Sequence, residues 1–211
     1  IGLYDVSSRY FKGSWQNQSS ETPRLSSSSL GIIGVGRIGT ALVNRMKPFG
    51  LKILGYDPYQ PSGHEKAVGY KRFQFLDQML PHCDLVSFHC PLTDETRGML
   101  NASFLDKLKS GSILVNTARG GLLESFDVLE KALKENWIRA AGLDVLPEEP
   151  PGSHPLIEAW RNREDWLEGR LWINPHLAFF SNQAWYEMRY KAAETVKLFF
   201  EHGILRNRIT E

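Results

Sequence analysis

Three glycines in Gly34-Val35-Gly36-Arg37-Ile38-Gly39 stand at the spacing G-x-G-x-x-G. Alone the pattern is weak, and its context gives it weight. It follows an apolar run over residues 30–33 and opens a stretch of helical period from Arg37. In that setting Gly34 permits a tight turn and Gly36 lets backbone approach a pyrophosphate. Gly39 lets helix and strand pack closely. Backbone N–H groups at such a helix start favour an anion. Asp57 ends the next apolar run, 18 residues beyond Gly39. A carboxylate there accepts from a ribose hydroxyl pair and repels a 2′-phosphate, which predicts NAD over NADP. A methyltransferase would share the fold and a glycine loop, but the three-glycine spacing favours a dinucleotide.

Three further segments carry chemistry, and each follows a predicted strand. They are Asn116-Thr117-Ala118-Arg119-Gly120-Gly121, Asp144-Val145-Leu146-Pro147-Glu148-Glu149-Pro150-Pro151, and Asn174-Pro175-His176. Open α/β sheets bind ligands beyond the carboxyl ends of their strands, so the three can converge. Reduction of a ketone by hydride transfer needs a proton donor for the developing alkoxide. Histidine, with a reference pKa of about 6.5, supplies it near neutrality. A neighbouring carboxylate stabilises the imidazolium. An arginine binds a substrate carboxylate through paired hydrogen bonds. Arg119, Glu149 and His176 are residues of those three types. Singly, each has a plainer reading: a turn cap, one of a solvated acidic pair, a structural histidine.

The elements that must position these residues are legible as alternating apolar runs and helical periods. Strands are predicted at residues 30–33, 51–56, 85–88, 112–116, 138–143 and 172–173. Helices are predicted at 37–49, 75–80, 102–108, 126–136 and 183–201. The last is expected to turn Trp185, Met188, Ala192, Val196 and Phe199 inward and to stop at Gly203. The strands are near-continuous apolar runs, which predicts a parallel sheet covered on both faces, the doubly wound α/β class. Residues 1–13 suggest a short helix with a mixed face (Leu3, Val6, Tyr10, Phe11), and 14–29 a polar loop. The expected divisions are thus an N-terminal segment over 1–29, a dinucleotide-binding domain over 30–180 and a C-terminal helix within 181–211.

Composition bounds the alternatives. The 211 residues include 42% hydrophobic and 23% charged, an ordinary globular balance. Lys+Arg number 25 against 24 Asp+Glu, a net charge of +1. That removes any global electrostatic case for a nucleic-acid or anionic-membrane binder. No apolar run approaches the ~18 residues of a membrane span. Two cysteines, Cys83 and Cys90, make no disulfide framework, and a reducing, cytoplasmic setting is expected. His82-Cys83 and His89-Cys90 are adjacent pairs with poor ligand geometry, so no metal site is expected. Trp160, Trp166 and Trp172 are expected to pack a loop against the sheet.

These motifs, with His89-Cys90-Pro91-Leu92-Thr93, Leu143-Asp144-Val145 and Pro175-His176, resemble the D-isomer-specific 2-hydroxyacid dehydrogenases, over about residues 25–205. The branch resembled most is the C-terminal-binding-protein-like one, on Asp144-Val145-Leu146-Pro147, the tryptophan-bearing stretch 155–170, and Ser181-Asn182-Gln183 with Glu187-Met188-Arg189. The resemblance implies a Rossmann NAD-binding domain, a 2-hydroxy or 2-keto acid substrate and a homodimer formed through this domain. It implies that Arg119 orients substrate, that His176 is the acid/base, and that Glu149, standing just before Pro150, is its partner rather than Glu148. It implies that Arg37 and Ile38 meet the pyrophosphate through backbone N–H groups. Asp144 then binds the nicotinamide carboxamide. Cys90, Pro91 and the backbone of Thr117, Ala118 and Arg119 line the cofactor cleft, and His176, Ala178 and Phe179 lie near the nicotinamide. Phe179 stands where corepressor-type relatives carry tryptophan. A second class of function comes with the resemblance: an NAD-sensing corepressor-type scaffold without turnover. Family members carry a substrate-binding domain of about 100 residues or more ahead of the cofactor domain. With Ile1 as first residue, this chain is expected to be a piece of a longer one.

Overall fold

A computed structural model of the chain describes residues 23–206. The helix expected over 1–13 and most of the expected polar loop lie outside the described residues. The chain divides into two compact units, Ile1–Pro175 and His176–Glu211.

The first unit runs β1 (Ser29–Ile33), α1 (Arg37–Met46), β2 (Lys52–Tyr56), α2 (His64–Val68), β3 (Lys71–Arg72), α3 (Leu76–Met79), β4 (Leu85–Phe88), α4 (Ala102–Asp106), β5 (Ser112–Asn116), α5 (Phe126–Lys134), β6 (Ile138–Leu143), α6 (Pro155–Arg161) and β7 (Leu171–Ile173). The strands form one sheet in the order β3-β2-β1-β4-β5-β6-β7. Every pairing is parallel. From β1 the chain winds outward to β3, then returns beside β1 and winds the other way to β7. The reversal lies between β1 and β4, where the loops leaving the carboxyl ends diverge and open a crevice.

The apolar runs form strands because the sheet buries them. All five residues of β1 are buried. Leu30, Ile32, Val35, Val43, Leu51, Ile53, Val68 and Tyr70 make one core cluster. A larger one gathers Phe88, Leu100, Leu114, Leu129, Leu133, Ile138 and Leu156 among others. Fully burying each such side chain contributes about 1.5–3 kcal/mol. Helix α5 shows how local signals set an element. Ser125 caps it by accepting from Val128 N–H, and Phe126, Leu129, Ala132 and Leu133 form the buried face.

Boundaries shift where proline intervenes. The helix expected over 37–49 ends at Met46 and tightens into a 3₁₀ turn, Lys47–Phe49, containing Pro48. Pro81 lies in the turn Leu80–His82 that closes α3. The two-residue strand β3 is too short for a periodic signal. Of the tryptophans, Trp160 and Trp166 pack against the larger core, but Trp172 is 58% exposed. No described helix is long and apolar enough to cross a membrane.

The second unit is dominated by α7 (Asn182–His202). Ser181 caps it by accepting from Ala184 N–H, and Gly203 at φ 66° ends it, as expected. Its expected inward face is not covered. Trp185, Met188, Val196 and Phe199 are exposed, and the helix has no buried residue. The amphipathic spacing sets which residues share a face, and burial of that face needs a second surface.

Candidate cofactor and active site

The glycine loop begins where β1 ends. Gly34 N–H donates to Tyr56 O at 2.9 Å, and its φ of +88° is left-handed. A Cβ at Gly34 would lie 2.6 Å from Cys90 N, and one at Gly39 would lie 2.2 Å from Gly34 O. Both glycines are therefore required by backbone packing. Gly36 differs. Its backbone is extended, at φ −75° and ψ −151°, and a Cβ there meets nothing within 4 Å. It faces open space in front of the helix. The first N–H to enter the helical ladder is Thr40, which donates to Gly36 O at 2.9 Å. The N–H groups of Arg37, Ile38 and Gly39 precede it, and the first turn carries no acidic residue. The loop thus presents backbone donors, a positive helix end and a cleared approach, which fits the pyrophosphate of a dinucleotide.

Asp57 is locked to this loop. Its Oδ2 accepts from Val35 N–H at 2.8 Å and its Oδ1 from Tyr59 N–H at 3.0 Å. A carboxylate has about four acceptor sites, so capacity for a ribose diol remains. An arginine that the local sequence does not suggest comes close: Arg72, on β3. Its guanidinium donates to Gln60 O at 2.9 Å, Pro61 O at 3.1 Å and Asp57 O at 3.4 Å. It is occupied by the carbonyls of the Asp57 loop, and so stiffens the loop rather than offering a phosphate site.

Across the crevice, β4 ends at Phe88. His89 N–H donates to Ile33 O at 2.8 Å, which brings Cys90 against Gly34. The His89 ring contacts Ser87 Oγ at 2.9 Å, and burial lowers its pKa. Burial pushes the Cys90 thiol up to about 11 and that of Cys83 up to about 12. Both are neutral thiols at ordinary pH. Among the described residues, Asp127, Glu130 and His154 bring ligand atoms within 4.8 Å of one another. Their atoms already have partners. His154 Nδ1 accepts from Leu156 N–H at 3.1 Å, leaving the ring proton on Nε2, which faces Asp127 Oδ1 at 3.1 Å. Lys134 holds Glu130 at 2.6 Å. The group is a helix cap with a flanking hydrogen bond and one ion pair.

The loops after β5 and β6 are built together. Buried Asn116 donates through its side-chain amide to Arg119 O at 2.9 Å and accepts from Ala118 N–H at 3.0 Å. Asp144 N–H donates to Asn116 O at 2.9 Å. A Cβ on Gly120 would fall 1.7 Å from Leu146 O, so only glycine lets the Arg119 turn lie on the Leu146 backbone. Glu149 Oε1 accepts from Leu146 N–H at 2.8 Å. Arg119 Nη1 donates to Ala118 O at 2.6 Å. Thr117, Arg119 and Glu149 are exposed, while Ala118 and Asp144 are buried. The sequence singles out Arg119 and Glu149 as candidates but not Gly120, whose role is a tertiary contact with Leu146, nor Asn116, whose buried amide shapes the Arg119 turn.

His176, Ala178 and Phe179 belong to the second unit. His176 has φ 55°, a left-handed conformation uncommon outside glycine. Its ring meets that of Phe179 edge-on at 6.2 Å. All three residues are exposed.

Comparisons with known proteins agree with this fold. A family model described as D-isomer specific 2-hydroxyacid dehydrogenase, NAD binding domain, matches residues 2–178. D-3-phosphoglycerate dehydrogenase of Methanocaldococcus jannaschii is 40% identical over 146 residues, 69% of this chain and 28% of that protein. C-terminal-binding protein 1 of Caenorhabditis elegans is 37% identical over 173 residues, 81% of this chain and 22% of that protein. Among solved structures, D-lactate dehydrogenase from Aquifex aeolicus, complexed with NAD and lactic acid, matches with a TM-score of 0.78 at 28% identity. That match covers 94% of this chain and 61% of the other. The chain therefore spans 28% and 22% of the two curated relatives' lengths.

Proposed function

The chain belongs to the D-isomer specific 2-hydroxyacid dehydrogenases, matching their NAD-binding domain, and from that premise we propose that it is the cofactor half of an NAD-dependent oxidoreductase acting at C2 of a 2-hydroxy or 2-keto acid. Bound NAD supplies or accepts the hydride. The Arg37, Ile38 and Gly39 N–H groups hold the pyrophosphate, and Asp57 holds the adenosine ribose. Asp144 takes the carboxamide, while Cys90, Pro91, Thr117 and Ala118 with Ala178 and Phe179 line the cleft. Arg119 clamps the substrate carboxylate and orients its carbonyl. His176 gives a proton to the forming alkoxide during reduction and takes it back during oxidation. Glu149 stabilises the imidazolium form.

One observation supports this reading most. The Gly34–Asp57 cradle and the Arg119 and Glu149 loops all leave the carboxyl ends of strands in one parallel sheet. We further propose a homodimer formed through this domain in a cytoplasmic setting. In the intact protein, His176→Ala should lower turnover of 2-keto acids by about 10²–10⁴-fold while NADH affinity is kept. Unchanged turnover would remove His176 from the mechanism. Sedimentation that depends on NADH, with no turnover on any 2-keto acid, would favour the scaffold class instead.

A further inference from the structure

Asp57 is not the only acid at the outer end of the crevice. Tyr59 donates its backbone N–H to Asp57 Oδ1. Its side chain extends to a hydrogen bond from the hydroxyl to Glu95 Oε2. Glu95 lies on the loop after β4, across the strand-order reversal from β2. A single tyrosine thus links two carboxylates that come from the two halves of the sheet.

The loop that carries Glu95 is fixed from within. Thr93 N–H donates to Thr96 Oγ1 at 2.8 Å, and Thr96 Oγ1 donates to Pro91 O at 2.7 Å. The Tyr59 hydroxyl is a donor at neutral pH like any tyrosine, and the hydrogen bond to Glu95 is the main cause raising its pKa further. Among the described residues, neither Asp57 nor Glu95 is in an ion pair. The nearby cation, Arg72, is turned to carbonyls and to Glu65 at 3.8 Å.

With neither carboxylate ion-paired among the described residues, Glu95 adds to the negative potential of Asp57 at the ribose end of the crevice, and the Arg72 charge lies on the Asp57 carbonyl side. A ribose diol is neutral and tolerates it. A 2′-phosphate brings up to two negative charges and must face both acids. We propose that Glu95, held in place by Tyr59, is a second specificity residue that turns away 2′-phosphorylated dinucleotides. The proposal rests on the NAD reading above and adds a residue to it. Glu95 and Tyr59 are solvent-exposed, so screening keeps the effect moderate, about three- to tenfold in relative affinity.

The test is NADH and NADPH affinity measured by cofactor fluorescence on wild type, Glu95→Gln, Tyr59→Phe and Asp57→Ala. Glu95→Gln keeps an acceptor for the tyrosine and removes only the charge. It should tighten NADPH about three- to tenfold relative to NADH. Tyr59→Phe, which releases Glu95, should give part of that gain, and both gains should shrink in about 0.5 M salt. If Glu95→Gln leaves the ratio unchanged while Asp57→Ala raises it, the proposal is overturned and the NAD reading stands. If folded wild type binds no NADH, both fall together.

Discussion

The crevice has two edges built by opposite means. On the β1–β2 edge the groups proposed to meet a ligand are mainly backbone. The approach to three helix-start N–H groups is cleared at Gly36, and one side-chain carboxylate is held by two further N–H donors. On the β5–β6 edge the proposed groups are side chains, Arg119 and Glu149; a buried asparagine shapes the Arg119 turn from within, and one glycine lets it lie on the Leu146 backbone. A backbone-built edge has little to substitute, and the residues that matter there are those that must lack a side chain. A side-chain-built edge can lose its chemistry and keep its fold. The two should therefore respond differently to mutation.

The largest effect should come from Gly39→Ala. Its Cβ would meet the Gly34 carbonyl at 2.2 Å, and that atom cannot move without moving the loop. NADH affinity should fall at least about a hundredfold, and stability by about 1–3 kcal/mol, read by fluorescence titration and urea melts. A variant that binds normally would show that the loop is not the cradle.

Gly120→Ala comes next and tests whether the second edge also hides a backbone contact. The 1.7 Å approach to Leu146 O predicts a loss of about 1–3 kcal/mol in stability with NADH affinity reduced less than in Gly39→Ala. A neutral result would mean that the β5–β6 turns are not pressed together as described.

Asp57→Ala should weaken NADH about tenfold, about 1.4 kcal/mol, the scale of one or two charge-assisted hydrogen bonds. Arg119→Ala should change NADH affinity by less than about twofold and leave the melting temperature in place. An Arg119 variant as impaired in NADH binding as Asp57→Ala would erase the contrast between the edges.

The smallest effect is a pH dependence set by two thiols that flank β4. Burial raises the thiols of Cys90 and Cys83, to about 11 and about 12, above their ordinary range. A raised pKa means that the unfolded state loses its proton first. The stabilising contribution is therefore complete below the ordinary thiol range of about 8.5 and is lost as pH rises through about 11 and 12. Melting temperature should decline across that alkaline window, and less steeply in Cys83→Ala.

Much of the β1–β2 edge is legible in the sequence because its signals are local. The three glycines, the strand before them, the helix after them and Asp57 fall within one short stretch. Gly203 and Ser181 likewise mark the ends of α7 by local chemistry. The rest depends on neighbours distant in the chain. Gly120 resembles any turn glycine until Leu146 lies on it. Arg72 resembles a solvated charge until the Asp57 loop folds over it, and Tyr59 and Glu95 are 36 residues apart. The face of α7 shows the converse case. Its spacing is amphipathic, yet Trp185, Met188, Val196 and Phe199 remain exposed, because periodicity says which residues share a face and not what covers it.

The central claim is that the open space at Gly36 is where a dinucleotide lies. NADH titration of wild type beside Gly36→Val tests it most directly. The extended backbone at position 36 accepts valine, and its Cβ meets no neighbour, so circular dichroism and melting temperature should match wild type. The account predicts saturable NADH binding by wild type and loss of at least about a hundredfold in the variant, about 2.8 kcal/mol. Equal binding by the two folded proteins would contradict it.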